Sequence, residues 1–484
     1  MRKAKIGLEV HIQLTKLKTK LFCSCPSDYR DKPPNTVVCP VCLGLPGALP
    51  KLNEEAVKMA LTLCLSLNGK VSRKVVFARK HYFYPDLPKG YQITQFTSLG
   101  SSPVCQGGQL VMRVDGREKV VRIRRLQLEE DPGRIVWPRG KASEYVLVDY
   151  NRSGIALIEL VTEPDMETPE EARAFVEKLR SLVEHLGICD CELEGAMRVD
   201  ANVSVEGGER VEIKNIGSIK DVEKALKFEI TRQSTLLDQG GRVERETRHW
   251  DAERRVTVGA RSKELEEEYR YMPEPNIPPY LIEEGLLEQA KRELPELPDQ
   301  RIKRMIKEYS LSEYLASVLV IRDKRLADLF EEAAKLYTNY KRLASLLVVD
   351  YLRWVEELGL PLGKCVKPEW LAELLSYVDR GKITLEQARE TVLPSMLREC
   401  KEPSRVIEEK GLGVVRDVDK ILSIVRKVLR ENPKAVEDAK KNPKAINFLV
   451  GQVMKALRGK ADPRTVRQMI ESELGMSARH GSDG

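Results

Sequence analysis

The chain has 484 residues, 42% of them apolar and 32% charged, a composition that fits a folded protein of several domains and excludes a single small binding module. No run approaches the about 18 uncharged apolar residues of a membrane-spanning helix, and Glu9, His11 and Gln13 interrupt the N-terminal apolar positions where a signal peptide would be continuous, so a cytoplasmic protein with no membrane segment is expected. The net charge of +7 is too mild to mark a nucleic-acid binder by itself, but residues 416–484 hold 15 Lys and Arg against 9 Asp and Glu, which puts the surplus in the C-terminal segment.

Along the chain, Ile6, Leu8, Val10, Ile12 and Leu14 alternate with Gly7, Glu9, His11 and Gln13, the period of a strand with one apolar and one polar face. The alternation returns at Val121 and Ile123, then at Leu126 and Leu128, after which Gln127, Glu129 and Asp131 share a face. It returns again at Met197, Val199, Ala201, Val203 and Val205, opposite Arg198, Asp200, Asn202, Ser204 and Glu206, and at Val211 and Ile213, with Glu212 and Lys214 turned outward. Strands of this kind suit an antiparallel or mixed sheet. Between them Thr168 caps a helix with Pro169 in its first turn, Glu171 completing a capping box and Gly187 beyond its end.

Strands mixed with a few helices define an α+β domain, and MPEPNIPP at 272–279 reads as a break. Helical periodicity then dominates over 311–329, 330–358, 368–379 and 385–393. It resumes over 417–474, where Asn432-Pro433, Asn442-Pro443 and Asp462-Pro463 each read as a cap followed by a helix-opening proline. The expected fold class is α+β: an antiparallel or mixed sheet domain, an all-α helical domain and a small all-α tail domain, with 477–484 a frayed end.

Cys23-x-Cys25 and Cys39-x-x-Cys42 are two close thiol pairs separated by a loop rich in Pro26, Pro33, Pro34 and Asn35. Such pairs can deliver four thiolates to a tetrahedral Zn²⁺, and four thiolates leave no open position, so the site would be structural. Four buried cysteines are the plainer alternative. Cys64, Cys105, Cys189, Cys191, Cys365 and Cys400 form no comparable pair of pairs and read as core thiols, because a cytosolic chain argues against disulfides.

Glu9, His11, Glu129, Glu130, Asp131, Asp200 and Glu212 fall on polar strand faces. Carboxylates that converge from several strands repel unless a cation lies among them, and Mg²⁺ holding nucleotide phosphates is one solution. A solvated face with Lys and Arg partners is the other. RKHYFYPDLPKGYQITQ at 79–95 sets Lys80, His81 and Lys89 around Tyr82, Phe83 and Tyr84, either to grip phosphate or as a self-packed loop. There is no GxxxxGK[ST], no GxGxxG opening a helix, no GxSxG and no HExxH, so any use of ATP proceeds without a P-loop.

GLEVHIQL at 7–14, CPVCLGLPGALP at 39–50, RKHYFYPDLPKGYQITQ at 79–95, LEED at 128–131, DANVS at 200–204, EIKN at 212–215 and YRYMPEP at 269–275 resemble the B subunit of the aspartyl/glutamyl-tRNA amidotransferase, the GatB family. NPKAINFLVGQVMKALRGKADP at 442–463 is similar to the tail of that family. The resemblance implies a glutamine-synthetase-like cradle over 1–290, a helical domain over 291–410, a basic tRNA-binding tail over 411–476 and a flexible end over 477–484.

It further implies an ATP-dependent ligase that activates the side-chain carboxylate of Asp-tRNA(Asn) or Glu-tRNA(Gln) and amidates it with ammonia. That ammonia would come from a separate glutaminase, the amidase or A subunit, and a small C subunit would make up a heterotrimer.

By the same resemblance Glu9, His11, Lys80, Lys89, Glu129, Asp200 and Glu212 are catalytic, and Glu9, His11, Glu129 and Glu130 bind nucleotide. Glu9 and Glu129 would hold Mg²⁺, Cys23, Cys25, Cys39 and Cys42 zinc, and Lys455, Arg458 and Lys460 tRNA. Gln127 stands where the family commonly has His, Pro132 and Arg134 replace Ala and Lys, and Met272 replaces Phe. A non-catalytic zinc-stabilised tRNA-binding scaffold is the alternative expectation, and a free-standing small-acid ligase fits less well because it gives no reason for a basic tail.

Overall fold

The structure, a computed structural model, describes residues 2–96, 102–138, 145–260, 269–412, 418–441, 445–457 and 463–475. The chain divides into two compact units, Met1–Gln300 and Arg301–Gly484.

In the first unit the elements run β1 (Ala4–Gln13), α1 (Glu54–Ser66), β2 (Lys70–Val71), β3 (Lys74–Val75), β4 (Ala78–His81), β5 (Tyr91–Thr94), β6 (Cys105–Gln106), β7 (Gln109–Val114) and β8 (Arg117–Glu130). They continue through β9 (Arg134–Val136), β10 (Leu147–Asp149), β11 (Ala156–Thr162), α2 (Pro169–His185), β12 (Met197–Val205), β13 (Val211–Ile216), α3 (Ile219–Asp238), β14 (Glu246–Asp251) and β15 (Val256–Gly259). Ten strands form one sheet in the order β15-β14-β13-β12-β1-β11-β8-β6-β2, with β7 paired to β8. Its pairings are antiparallel except β13 with β14. This is the mixed sheet that the two-faced strands imply.

The alternation of β1 sets its register. Ile6, Leu8, Val10 and Ile12 are fully buried in a core shared with α1, α2 and α3, each worth roughly 1.5–3 kcal/mol of apolar transfer. A one-residue slip would exchange them for Glu9 and His11, so the polar face is fixed by the apolar one. In β8 the apolar set passes from Val121 and Ile123 to Leu126 and Leu128 because Val161 opposes Arg125 while Thr162 opposes Ile123. Arg124 is the extra residue of a β-bulge, and the strand changes face there.

Thr168 caps α2 by accepting from the Glu171 N–H at 3.1 Å. The Glu171 carboxylate accepts from the Glu167 N–H at 2.7 Å, one residue before the cap, so the expected reciprocal capping box is shifted by one position.

The cysteines need a correction. Cys64 is joined to Cys105 and Cys365 to Cys400 as disulfides, where the sequence predicts isolated core thiols. The partners lie 41 and 35 residues apart, and only the packing of α1 against the sheet and the folding of the helical unit bring them together. Cys189 and Cys191 remain thiols.

The second unit is helical among its described residues. Met305, Phe330, Tyr351, Leu371 and Met396 belong to one apolar core, and Ile421, Leu449, Val453, Val466 and Ile470 to a separate core in the C-terminal segment. The stretch of continuous periodicity from 330 to 358 contains a π-helical turn at Leu346–Tyr351, and a second lies at Ala388–Val392. Asp350 on the first accepts two 2.8 Å hydrogen bonds from Arg389 on the second, which pairs the two irregular turns. No helix among the described residues is long and apolar enough to cross a membrane.

Candidate active site and thiolate cluster

The polar face of the first sheet opens into a cavity of about 960 Å³. Seven of the residues that the sequence singles out line it: Glu9, His11, Lys80, Glu129, Asp131, Asp200 and Glu212. Register explains the gathering. Glu9 faces Asp200 on β12, and His11 faces Glu159 on β11 and Arg198 on β12. Glu159 in turn faces Gln127 on β8.

The tightest group is His11, Glu129 and Glu159, whose ligand atoms lie within 4.8 Å of one another. His11 Nε2 is 3.2 Å from Glu129 Oε1, Thr94 Oγ1 donates to Glu129 Oε2 at 3.0 Å, and Gln127 hydrogen-bonds Glu159. Burial opposes charge on the imidazole, but the hydrogen bond and charge of Glu129, helped by Glu159, outweigh it and raise the His11 pKa to about 9. Burial also presses Glu129 upward, and His11, Lys80 and Thr94 overcome it to hold that carboxyl below its ordinary range. Glu159 lacks an equal counter-charge; burial and the neighbouring Glu129 push it up to about 7. Two carboxylates and an imidazole this close suit a divalent cation, which requires His11 to be neutral and both carboxyls ionised.

The sequence pattern does not single out Glu159. Every residue of β11 is buried, so the strand reads as a continuous apolar run without alternation, and a lone glutamate in such a run is the available signal.

Glu9 stands beside the group without belonging to it; its carboxylate accepts from Asn202 at 3.2 Å. Lys214 lies 3.6 Å from Glu212 and 3.9 Å from Asp200. Burial works against its charge, but the two carboxylates raise its pKa, while Asp200 is itself pushed up, chiefly by burial. Arg124, Arg125, Arg210 and Arg245 also line the cavity and add cationic side chains to its wall, Arg124 being paired with Glu163 at 2.8 Å. Lys80 sits over the Tyr269 ring at 4.4 Å, and Phe96 and Tyr271 stack at 3.9 Å on the same rim.

Lys89 and Glu130 do not reach the cavity lining. They form a buried ion pair, and Glu130 also accepts from the Ile93 N–H at 2.9 Å. Asp131, fully buried, accepts from Arg198 at 2.8 Å and from Gln13 at 3.0 Å, which braces the end of β8.

Cys23, Cys25, Cys39 and Cys42 converge with their four sulfurs within 4.8 Å. A tetrahedral Zn²⁺ with about 2.3 Å bonds places its sulfurs roughly 3.8 Å apart, so the set fits after small side-chain rotations. Cys42 is pulled down to about 4, first because its thiolate accepts a hydrogen bond from Cys23 and then by the Lys20 charge, while Cys23 is pushed up by the same pairing. Burial pushes Cys25 up to about 12. The cluster is ready to give a thiolate to a metal at one position and must shed protons at the others.

In the second unit Lys455 is exposed on the helix Ile446–Ala456. Arg458 and Lys460 lie outside the described residues.

A sheet with a cation-walled acidic cavity, followed by a helical unit, has clear relatives. Residues 4–288 match the family model described as the GatB/GatE catalytic domain, and residues 328–474 match the model described as the GatB domain. The B subunit of aspartyl/glutamyl-tRNA(Asn/Gln) amidotransferase from Sulfurisphaera tokodaii is 55% identical over 475 residues, covering 98% of this chain and 99% of that protein. The protein of the same name from Saccharolobus solfataricus is 52% identical over 476 residues (98% and 100%), and that from Thermotoga maritima 45% over 480 (97% and 98%). The chain belongs to the family of aspartyl/glutamyl-tRNA(Asn/Gln) amidotransferase B subunits.

Proposed function

We propose that this cavity activates the side-chain carboxylate of Asp-tRNA(Asn) or Glu-tRNA(Gln) with ATP and converts it to the amide with ammonia. The observation that carries the reading is the convergence of His11, Glu129 and Glu159 under a wall of Arg and Lys side chains. A carboxylate resists nucleophiles because resonance and negative charge oppose attack, so it must first become an acyl phosphate. Mg²⁺, when bound, supplies charge neutralisation at the phosphates.

His11, Glu129 and Glu159 would hold the cation, with Glu9 beside it. Lys80 and the arginine wall offset the charge that develops on the transferred phosphoryl oxygens. The Phe96, Tyr269 and Tyr271 rim excludes water from one side, which protects the acyl phosphate from hydrolysis. Asp200, Glu212 and Lys214 form a second charged group in the same cavity, placed to orient the incoming amine. Lys89 and Glu130 act from behind the cavity wall as a buried brace.

Ammonia would come from an amidase partner, and a small third protein would make up a heterotrimer in the cytoplasm. Cys23, Cys25, Cys39 and Cys42 would hold a structural Zn²⁺. Residues 1–290 carry the chemistry, 291–410 form the helical domain, and the basic 411–476 segment, with Lys455, Arg458 and Lys460, contacts tRNA.

The test is amide formation on charged tRNA by the chain reconstituted with the amidase and the small third protein, in the presence of ATP, Mg²⁺ and glutamine. ADP release that requires the charged tRNA is expected. Amide formation without ATP consumption would overturn the reading.

A further inference from the structure

Lys20 is completely buried, which is rare for a lysine unless its ammonium has a partner. Its Nζ lies 3.7 Å from Cys42 Sγ and donates to the Val37 carbonyl at 2.8 Å, inside the loop that joins the two cysteine pairs. The backbone holds it there: the Lys20 N–H donates to the Cys25 carbonyl at 2.9 Å, and the next N–H, of Leu21, donates to the Gly154 carbonyl at 3.0 Å. Gly154 itself leaves room for this approach, since a Cβ there would stand 3.3 Å from Cys42 Cβ and 3.5 Å from Lys20 Cδ, at a φ of +85°. Nothing in the sequence pattern marks Lys20.

Four thiolates on one divalent cation carry a net charge of minus two. Cys25 and Cys42 are buried, so water reaches that charge only in part. A fixed ammonium at 3.7 Å from one sulfur halves it and donates a charge-assisted hydrogen bond to the sulfur, as the Cys39 N–H also does at 3.2 Å.

We propose that Lys20 is the built-in counter-ion of the four-cysteine metal site, a positioning residue that sets how tightly the site holds its cation. The proposal rests on the zinc reading of that cluster. It gives a sign that an ordinary structural lysine would not. With metal bound, Lys20 compensates charge. A loop anchor would cost the metal-bound and metal-free forms alike, whereas a counter-ion costs the metal-bound form more, by the Zn²⁺ affinity that is lost.

The experiment compares the full-length protein with Lys20→Met, which keeps the length of the stem and removes the charge, and with Lys20→Gln as a second variant. Each is stripped of metal and titrated with Zn²⁺ against a chromophoric chelator, and thermal unfolding is followed with and without Zn²⁺. Lys20→Met should hold Zn²⁺ roughly 10- to 100-fold more weakly and lose more thermal stability in the metal-bound form than in the metal-free form. Equal destabilisation of the metal-bound and metal-free forms, with unchanged Zn²⁺ affinity, would reduce Lys20 to a loop anchor and overturn the proposal. Should Lys20→Met not fold, the same comparison is read from Lys20→Gln. A wild-type protein that takes up no Zn²⁺ would overturn the metal reading, and the counter-ion role with it.

Discussion

His11 Nε2 and Glu129 Oε1 meet at 3.2 Å although their strands are not neighbours: β11 runs between β1 and β8. His11 faces Glu159 on β11, and Glu129 faces Leu157 two residues earlier on the same strand, so the two side chains lean toward each other over β11. Glu159 is thus the third corner of a triangle whose base spans three strands, and a cation held there would tie those strands together.

That geometry predicts unequal effects of isosteric substitutions. Glu129→Gln and Glu159→Gln should each weaken Mn²⁺ binding, followed by electron paramagnetic resonance, by roughly tenfold or more. Glu9→Gln should weaken it less, because the Glu9 carboxylate accepts from Asn202 and lies outside the tight group. Equal losses in all three would make Glu9 a direct ligand beside the other two, and an unchanged affinity in Glu159→Gln would displace Glu159 from that role.

A second prediction follows from protonation. The His11 pKa is raised from 6.5 to about 9 and that of Glu159 from 4.5 to about 7. A raised folded-state value means that the folded protein binds the proton more tightly than the unfolded chain. The stabilisation from His11 is therefore full below about 6.5 and lost as pH rises through about 9; that from Glu159 is full below about 4.5 and lost through about 7. The melting temperature of the metal-free protein should fall between pH 5 and 9, and less so in Glu159→Gln. Added Mg²⁺ or Mn²⁺ should oppose the fall, and calorimetry at pH 7 in two buffers should show about one proton released from His11 and about half from Glu159 on binding. Binding without proton release would contradict the pairing.

The disulfides supply a third. Of ten cysteines, four are in disulfides and six are free. Thiol titration in denaturant should count six without reductant and ten after reduction. Closing a loop of 41 residues restricts the unfolded chain by about 4 kcal/mol, so Cys64→Ala with Cys105→Ala should lower stability by a comparable amount. Ten thiols in both titrations would leave Cys64 and Cys105 as simple core packing.

What the sequence makes legible has a common physical origin. The two-faced strands β1 and β12 announce themselves by alternation because one side meets the helices and the other the cavity. The cysteine cluster is legible because its four converging thiols come from two short spacings. Glu159 escapes because β11 is buried on both sides, where alternation vanishes. The disulfides escape because their closure depends on tertiary packing over 41 and 35 residues, which no local pattern encodes. Lys89 and Glu130 are assigned to the site by their motifs, yet their strong mutual attraction behind the wall is a matter of which way each side chain turns.

The last prediction concerns the basic C-terminal segment. Its core is small and separate, built on residues such as Ile421, Leu449 and Val466, so charges can be changed on its surface without disturbing that packing. Several of its basic groups are already engaged: Arg426 pairs with Glu473 at 2.9 Å, and Arg467 with Glu471 at 2.9 Å. Lys455 is exposed on the helix Ile446–Ala456 and forms no ion pair among the described residues. If Lys455 meets a phosphate, Lys455→Glu should weaken tRNA binding and flatten the dependence of log affinity on log salt by roughly one unit. Arg426→Gln, which breaks an internal pair, should lower the melting temperature of the segment more than it changes the salt slope. Filter binding or fluorescence anisotropy at several salt concentrations measures both, with nucleotide binding at the sheet cavity expected to stay unchanged. An unaltered salt slope in Lys455→Glu would remove this helix from the tRNA contact and move the search to the other basic positions of the segment.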